Sequence, residues 1–104
     1  MVLCEGCAAE LMMFGTRATV MLTGDLDERS APKIRSYLDR VLLLCPRTVT
    51  LTLDRLRTCD PSGMALLGEY RGRAAREGWT FRLRAASRIV LAAAEQAGLG
   101  DVLA

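Results

Sequence analysis

Val49-Thr50-Leu51-Thr52-Leu53, then Thr58-Cys59-Asp60-Pro61-Ser62-Gly63, then the run from Met64 to Glu77, form the stretch that decides the fold. Val49, Leu51 and Leu53 alternate with threonines, the period of a strand that buries one face. Beyond Gly63, Leu66, Leu67, Tyr70 and Ala74 recur at three- and four-residue steps. This predicts a helix from about Met64 to Glu77 with that stripe turned inward. Gly78 stands where a helix end takes positive φ. Residues 58–63 read as a loop, with Ser62 as the helix N-cap.

The same alternation extends in both directions. Ala9–Phe14 and Arg17–Thr23 read as two strands joined by a turn at Gly15-Thr16, and Gly24-Asp25-Leu26-Asp27 as the loop that ends the second. A helix is expected from Ala31, capped by Ser30, with Pro32 in its first turn, where no backbone donor is lost. Ile34, Leu38, Val41, Leu42 and Cys45 form its apolar stripe, and Pro46 stops it. Trp79–Leu83 alternates as a further strand. Ser87 then opens a third helix carrying Val90, Ala93, Ala94 and Ala97, closed by Gly98. Strands alternating with helices at this spacing imply βαβ crossovers, hence an α/β fold whose sheet contains parallel pairs covered by helices.

A chain of 104 residues has room for one hydrophobic core. The domain is expected over residues 9–104, with 1–8 as an N-terminal extension. Apolar residues make up 51% and charged residues 25%, a globular composition. No apolar run approaches the roughly 20 residues of a membrane-spanning helix, and the first residues lack the pattern of a secretory signal. A cytoplasmic location without membrane insertion is expected. Net charge is only +2, and its thirteen arginines and one lysine are interleaved with acids, which argues against direct nucleic-acid binding.

The absence of histidine removes the commonest general base and the commonest metal ligand. Cys4 and Cys7 form a Cys-x-x-Cys with no second pair at zinc-site spacing, so no metal is expected. Cys45 and Cys59 fall in apolar company and read as small buried hydrophobes. No cofactor fingerprint occurs: both the phosphate-loop and the dinucleotide-binding glycine patterns are missing.

Ser62 is the residue with the most to say about function. At a helix start, a phosphate on its hydroxyl would face free backbone donors and the positive end of the helix dipole. It would alter the charge of the surface there without unfolding the helix.

Leu22-Thr23-Gly24-Asp25-Leu26-Asp27, Val49 to Asp54, Leu56 and Asp60-Pro61-Ser62-Gly63-Met64 resemble the STAS domain family. So does the tail, Ala85-Ala86-Ser87-Arg88-Ile89-Val90 through Ala97-Gly98-Leu99. The resemblance runs from about Ala9 to the C-terminus in the family's order and spacing. It implies a single STAS-like domain with a mixed central sheet of about four to five strands packed with three or more helices.

For function, it implies an anti-sigma factor antagonist, a non-enzymatic protein that binds a serine-kinase anti-sigma factor and so regulates sigma-factor-dependent transcription. The kinase phosphorylates the serine matching Ser62, weakening the complex, and a serine phosphatase reverses it. Asp27 and Asp60 match the acids beside that serine, and Asp27, Asp60, Pro61, Ser62, Gly63 and Met64 match the partner-facing surface. The chain departs from the family in Pro61, which replaces the first serine of the usual pair, and in its slightly basic charge.

Two other functions compete with this one. In the first, the domain is a scaffold or a cytosolic subunit of a transport or stress-signalling complex, without a switch at Ser62. In the second, it is an enzyme with Cys59 or Ser62 as nucleophile, which would need Asp27 or Asp60 as base.

Overall fold

The computed structural model describes residues 1–84 and 87–103, so Ala85 and Ala86 of the tail motif and the terminal Ala104 lie outside the described residues. Five strands, β1 (Val2–Cys4), β2 (Cys7–Phe14), β3 (Arg17–Leu26), β4 (Thr48–Cys59) and β5 (Thr80–Arg84), form one sheet in the order β1-β2-β3-β4-β5. β1–β2 and β2–β3 pair antiparallel, whereas β3–β4 and β4–β5 pair parallel, so the sheet is mixed as expected. The parallel pairs are connected by α1 (Ala31–Leu42) and α2 (Pro61–Glu77), while α3 (Arg88–Gln96) and a 3-10 turn at Gly100–Val102 follow β5.

Alternation within the strands explains the layering. Ala18, Val20, Leu22 and Leu26 of β3, Val49, Leu51 and Leu53 of β4 and Phe81 and Leu83 of β5 are buried. They pack with Ile34, Leu38 and Val41 of α1, with Leu66, Leu67, Tyr70 and Ala74 of α2, and with Val90 and Ala94 of α3. At about 25 cal/mol per Å², burying such side chains is the main favourable contribution to folding. On the intervening positions, Arg17, Thr19, Thr48, Thr50, Thr80, Arg82 and Arg84 line the open face.

Several boundaries differ from the sequence reading. β3 continues through Gly24-Asp25-Leu26, and β4 runs on to Cys59, each with irregular register where a loop was expected. Neighbouring parallel strands keep pairing across these bulges, so turn-forming residues do not end them. Ser30 and Ser87 occupy the N-cap positions of α1 and α3, but neither hydroxyl bonds to its helix. Cys45 is exposed rather than buried, because α1 has already ended and the residue sits in the turn with φ +53. Ala97 is exposed as well, just beyond the last turn of α3. Residues 1–8 supply β1 and the start of β2, with Cys7 buried. Among the described residues, no helix is long and apolar enough to cross a membrane.

Candidate functional site

Parallel pairing brings the C-terminal ends of β3 and β4 side by side, with Leu26 in register with Cys59. Ligand and partner sites of parallel sheets gather at such ends. The Asp60 backbone N–H donates to the Leu26 carbonyl at 3.0 Å, which places Asp60 next to Asp27. Pro61 then begins α2, its ring fixing a helical φ at a position where no backbone donor is needed.

Asp60, not Ser62, is the N-cap. Its backbone is extended (φ −88, ψ 178), and its Oδ1 accepts the Gly63 N–H at 3.0 Å. The Asp60 carbonyl accepts the Met64 N–H, also at 3.0 Å. Proline at the first helical position moves the cap two residues ahead of Ser62. Ser62 therefore stands on the first turn, exposed, and its hydroxyl makes no hydrogen bond among the described residues. A phosphate there would not meet the open set of donors expected from the sequence. Pro61 has no N–H, and that of Gly63 is already occupied by a carboxylate.

Gly63 is the residue that lets the helix sit down. A Cβ on it would lie 2.5 Å from Leu26 Cγ, 2.8 Å from the Leu26 carbonyl oxygen and 3.1 Å from Cys59 Sγ. Met64 follows it into the interior, and both are buried, so their side-chain positions seat α2 under the surface that Pro61 and Ser62 present. Beside that surface runs a groove of about 430 Å³, lined by Asp60, Pro61, Met64 and Ala65 on one side and by Ala93 of α3 and Ala97 just past its end on the other.

Asp27 is equally well held. Its Oδ1 accepts the N–H groups of Ser30 and Arg29, each at 3.0 Å, and these bonds keep its carboxyl below the usual carboxylate range. Ser30 Oγ bonds back, accepting the Asp27 N–H at 3.0 Å and donating to the Asp25 carbonyl at 2.7 Å. One group was not singled out in the sequence. Asp25 accepts from Arg57 at 3.1 Å and from the Thr58 hydroxyl at 3.0 Å, tying the two strand ends together. Gly24-Asp25-Leu26-Asp27 carries two acids, and both are held by hydrogen bonds.

Among the described residues, neither Cys59 nor Ser62 is activated as a nucleophile. Burial, followed by the charge of Asp60, pushes the Cys59 thiol up to about 12, so it is protonated at neutral pH. Ser62 has no hydrogen-bonded base among the described residues. What the site offers is an exposed hydroxyl on a rigid helix start, beside two anchored carboxylates and an apolar groove.

A family model described as Mlab, STAS domain, matches residues 12–104. The chain is a STAS domain. Several solved structures share its fold. The anti-sigma factor antagonist SpoIIAA in its unphosphorylated form is 22% identical with a TM-score of 0.80, covering 93% of this chain and 86% of that one. The Bacillus cell fate determinant SpoIIAA in the phosphorylated form is 21% identical with a TM-score of 0.75, covering 93% and 89%. An anti-sigma factor antagonist from Mycobacterium paratuberculosis is 14% identical with a TM-score of 0.84, covering 99% and 87%. At these identities the likeness establishes the STAS fold. No curated protein matches the chain.

Proposed function

We propose that this STAS domain is a cytoplasmic anti-sigma factor antagonist, a binding protein switched off by phosphorylation of Ser62. It docks a serine-kinase anti-sigma factor on the surface formed by Asp27, Asp60, Pro61 and Ser62, with Gly63 and Met64 seating that surface from beneath. A serine phosphatase restores the binding form.

The observation that carries the reading is the placement of Ser62. Its hydroxyl is exposed on the first turn of a helix whose start is fixed by the Asp60 cap and the tight seat of Gly63. A phosphate adds up to two negative charges there. Asp27 and Asp60 are adjacent, so the added charge meets like charge and is left facing the partner. The fold has no need to change. That two of the similar structures are of SpoIIAA, one unphosphorylated and one phosphorylated, supports the same reading.

The test is a pull-down from the native host with wild-type and Ser62→Asp baits, read by mass spectrometry, followed by incubation of any retained kinase with ATP and wild-type or Ser62→Ala protein. An ATPase-fold kinase held by wild type, lost with Ser62→Asp and phosphorylating only the wild type is expected. Equal recovery of the same partners by both baits would instead establish a scaffold without a switch.

A further inference from the structure

The end of the sheet opposite Ser62 carries the densest group of exposed apolar side chains. Met12, Met13 and Phe14 lead into the β2–β3 turn, and Leu43 and Leu44 follow α1; Phe14 is 68%, Leu43 79% and Leu44 56% exposed. The two turns belong to one surface. The Thr16 carbonyl accepts the N–H of Arg47 at 2.8 Å and that of Thr48 at 3.3 Å, locking the hairpin tip against the segment that leaves α1.

Strand register sets cations beside this apolar tip. Phe14 pairs with Arg17, which pairs in turn with Thr48. One step along, Met12 pairs with Thr19, and that row crosses Thr50 to end on Arg82. The next row ends on Arg84. Arg17, Arg47, Arg82 and Arg84 are all exposed, and no carboxylate lies within ion-pair distance of them among the described residues. Elsewhere Arg35, Arg57, Arg71 and Arg73 are each paired with a carboxylate, whereas Arg29, Arg40, Arg55, Arg76 and Arg88 have no ion pair among the described residues. The nearby acid Glu77 is engaged by Arg73 and by the Trp79 indole N–H, and Glu10 lies on the third row.

We propose that this end of the domain docks on an anionic lipid bilayer. Phe14, Leu43 and Leu44 enter the interface, and Arg17 and Arg47 meet the headgroups, with Arg82 and then Arg84 successively farther back on the open face. Charge complementarity selects the occupant, since the unpaired Arg17 and Arg47 at an apolar tip, with Arg82 and Arg84 behind them on the open face, match an anionic surface above a hydrocarbon layer. The apolar side chains project from two turn tips held together at the Thr16 carbonyl. A deformable bilayer accepts such a shape more readily than a preformed protein surface. A polyanion such as RNA would use the arginines and leave Leu43 and Leu44 in water. Absence of a spanning helix is compatible with this mode, because the domain lies on the surface without crossing it. Ser62 remains free at the far end.

Flotation of the full chain with phosphatidylcholine vesicles, with and without phosphatidylglycerol, tests the idea. Binding is expected only with phosphatidylglycerol and should weaken as salt is raised. Phe14→Ser combined with Leu44→Ser should weaken it roughly tenfold or more. Arg17→Gln and Arg47→Gln should each cost about fivefold. Ser62→Asp should float as wild type does, which separates this surface from the proposed switch. Circular dichroism melts confirm that each variant is folded. Failure of wild type to float with phosphatidylglycerol, equal flotation with the neutral vesicles, or indifference to the Phe14 and Leu44 changes overturns the proposal. So does self-association in ultracentrifugation that Phe14→Ser abolishes, since the tip would then join two copies of the chain.

Discussion

Asp60 and Ser62 are both residues that cap helices well, and they stand two positions apart, yet only Asp60 is used. Pro61 decides between them, because a proline ring fits the first helical position and fixes the cap just before it. The two residues should therefore respond differently to truncation. Asp60→Ala is expected to lower stability by about 1 kcal/mol, the usual cost of a lost side-chain cap. Ser62→Ala, exposed and without a hydrogen-bond partner among the described residues, should stay within about 0.5 kcal/mol. Urea unfolding midpoints of the two variants give the comparison directly. The cysteines are ordered by the same kind of local reasoning. Burial raises the thiols of Cys7 to about 11 and Cys59 to about 12, while Cys45 is exposed. In native protein at mildly alkaline pH, iodoacetamide should label Cys45 well before Cys7 or Cys59, as read by peptide mass spectrometry. Early labelling of Cys59 would show that the α2 start opens readily. The exposure of Cys45 could not be read from composition, because five apolar residues in a row say nothing about where the helix beneath them stops.

At the scale of elements, the packing of α2 depends on two contacts. One is Gly63 against Leu26 and Cys59. Gly63→Ala should cost about 1–3 kcal/mol, the range for overpacking a tight site, measured as a shift in the urea midpoint. The other is a clamp to α1. The buried Tyr70 donates to Asp39 Oδ1 at 2.6 Å, and Arg73 donates to the same oxygen at 2.8 Å with its guanidinium 5.2 Å from the Tyr70 ring centre. The Tyr70 hydrogen bond, followed by that of Arg73, holds the Asp39 carboxyl below the usual carboxylate range. A depressed carboxylate contributes stability that is present above its unfolded pKa, near 4, and lost as pH falls through the folded value. Acid titration of stability should accordingly be shallower in Asp39→Asn than in wild type below about pH 4, with no difference in slope near neutrality. Asp39 is about half exposed, so solvent screening keeps the effect small. The helices and their inward faces were legible from spacing alone, since Ile34, Leu38, Leu66 and Tyr70 obey the helical period. The clamp was not, because nothing local pairs residue 39 with residues 70 and 73; that contact exists only once both helices lie on the same sheet.

Across the whole molecule, the sheet separates two surfaces: the proposed switch at the C-terminal ends of β3 and β4, and the apolar, arginine-flanked tip at their N-terminal ends. The interior strands β3 and β4 were readable from their apolar alternation, most plainly in β4, where Thr48 to Leu53 alternates without interruption. Their length was not, since pairing continues through Gly24 and Arg57 despite local signals for a turn. The N-terminus is the least legible part, because β1 has three residues and no alternation to betray it. Its contacts are nonetheless specific. The Gly6 carbonyl accepts the Asp25 N–H at 2.9 Å, and a Cβ on Gly24 would overlap that same carbonyl. Met1 and Ala9 exchange two backbone hydrogen bonds of 2.9 Å, and Leu3 packs partly buried against the core. Deleting residues 1–6 would uncover the outer edge of β2 and the backbone of Gly24, at a loss of about 1–2 kcal/mol in hydrogen bonds and apolar cover. For a domain of this size that corresponds to a fall in Tm of roughly 4–16 °C, readable in a thermal melt followed by circular dichroism. An unchanged Tm would mean that residues 1–6 are an extension laid on a finished domain; a fall of this size would make β1 the fifth strand of the fold in energy as well as in geometry.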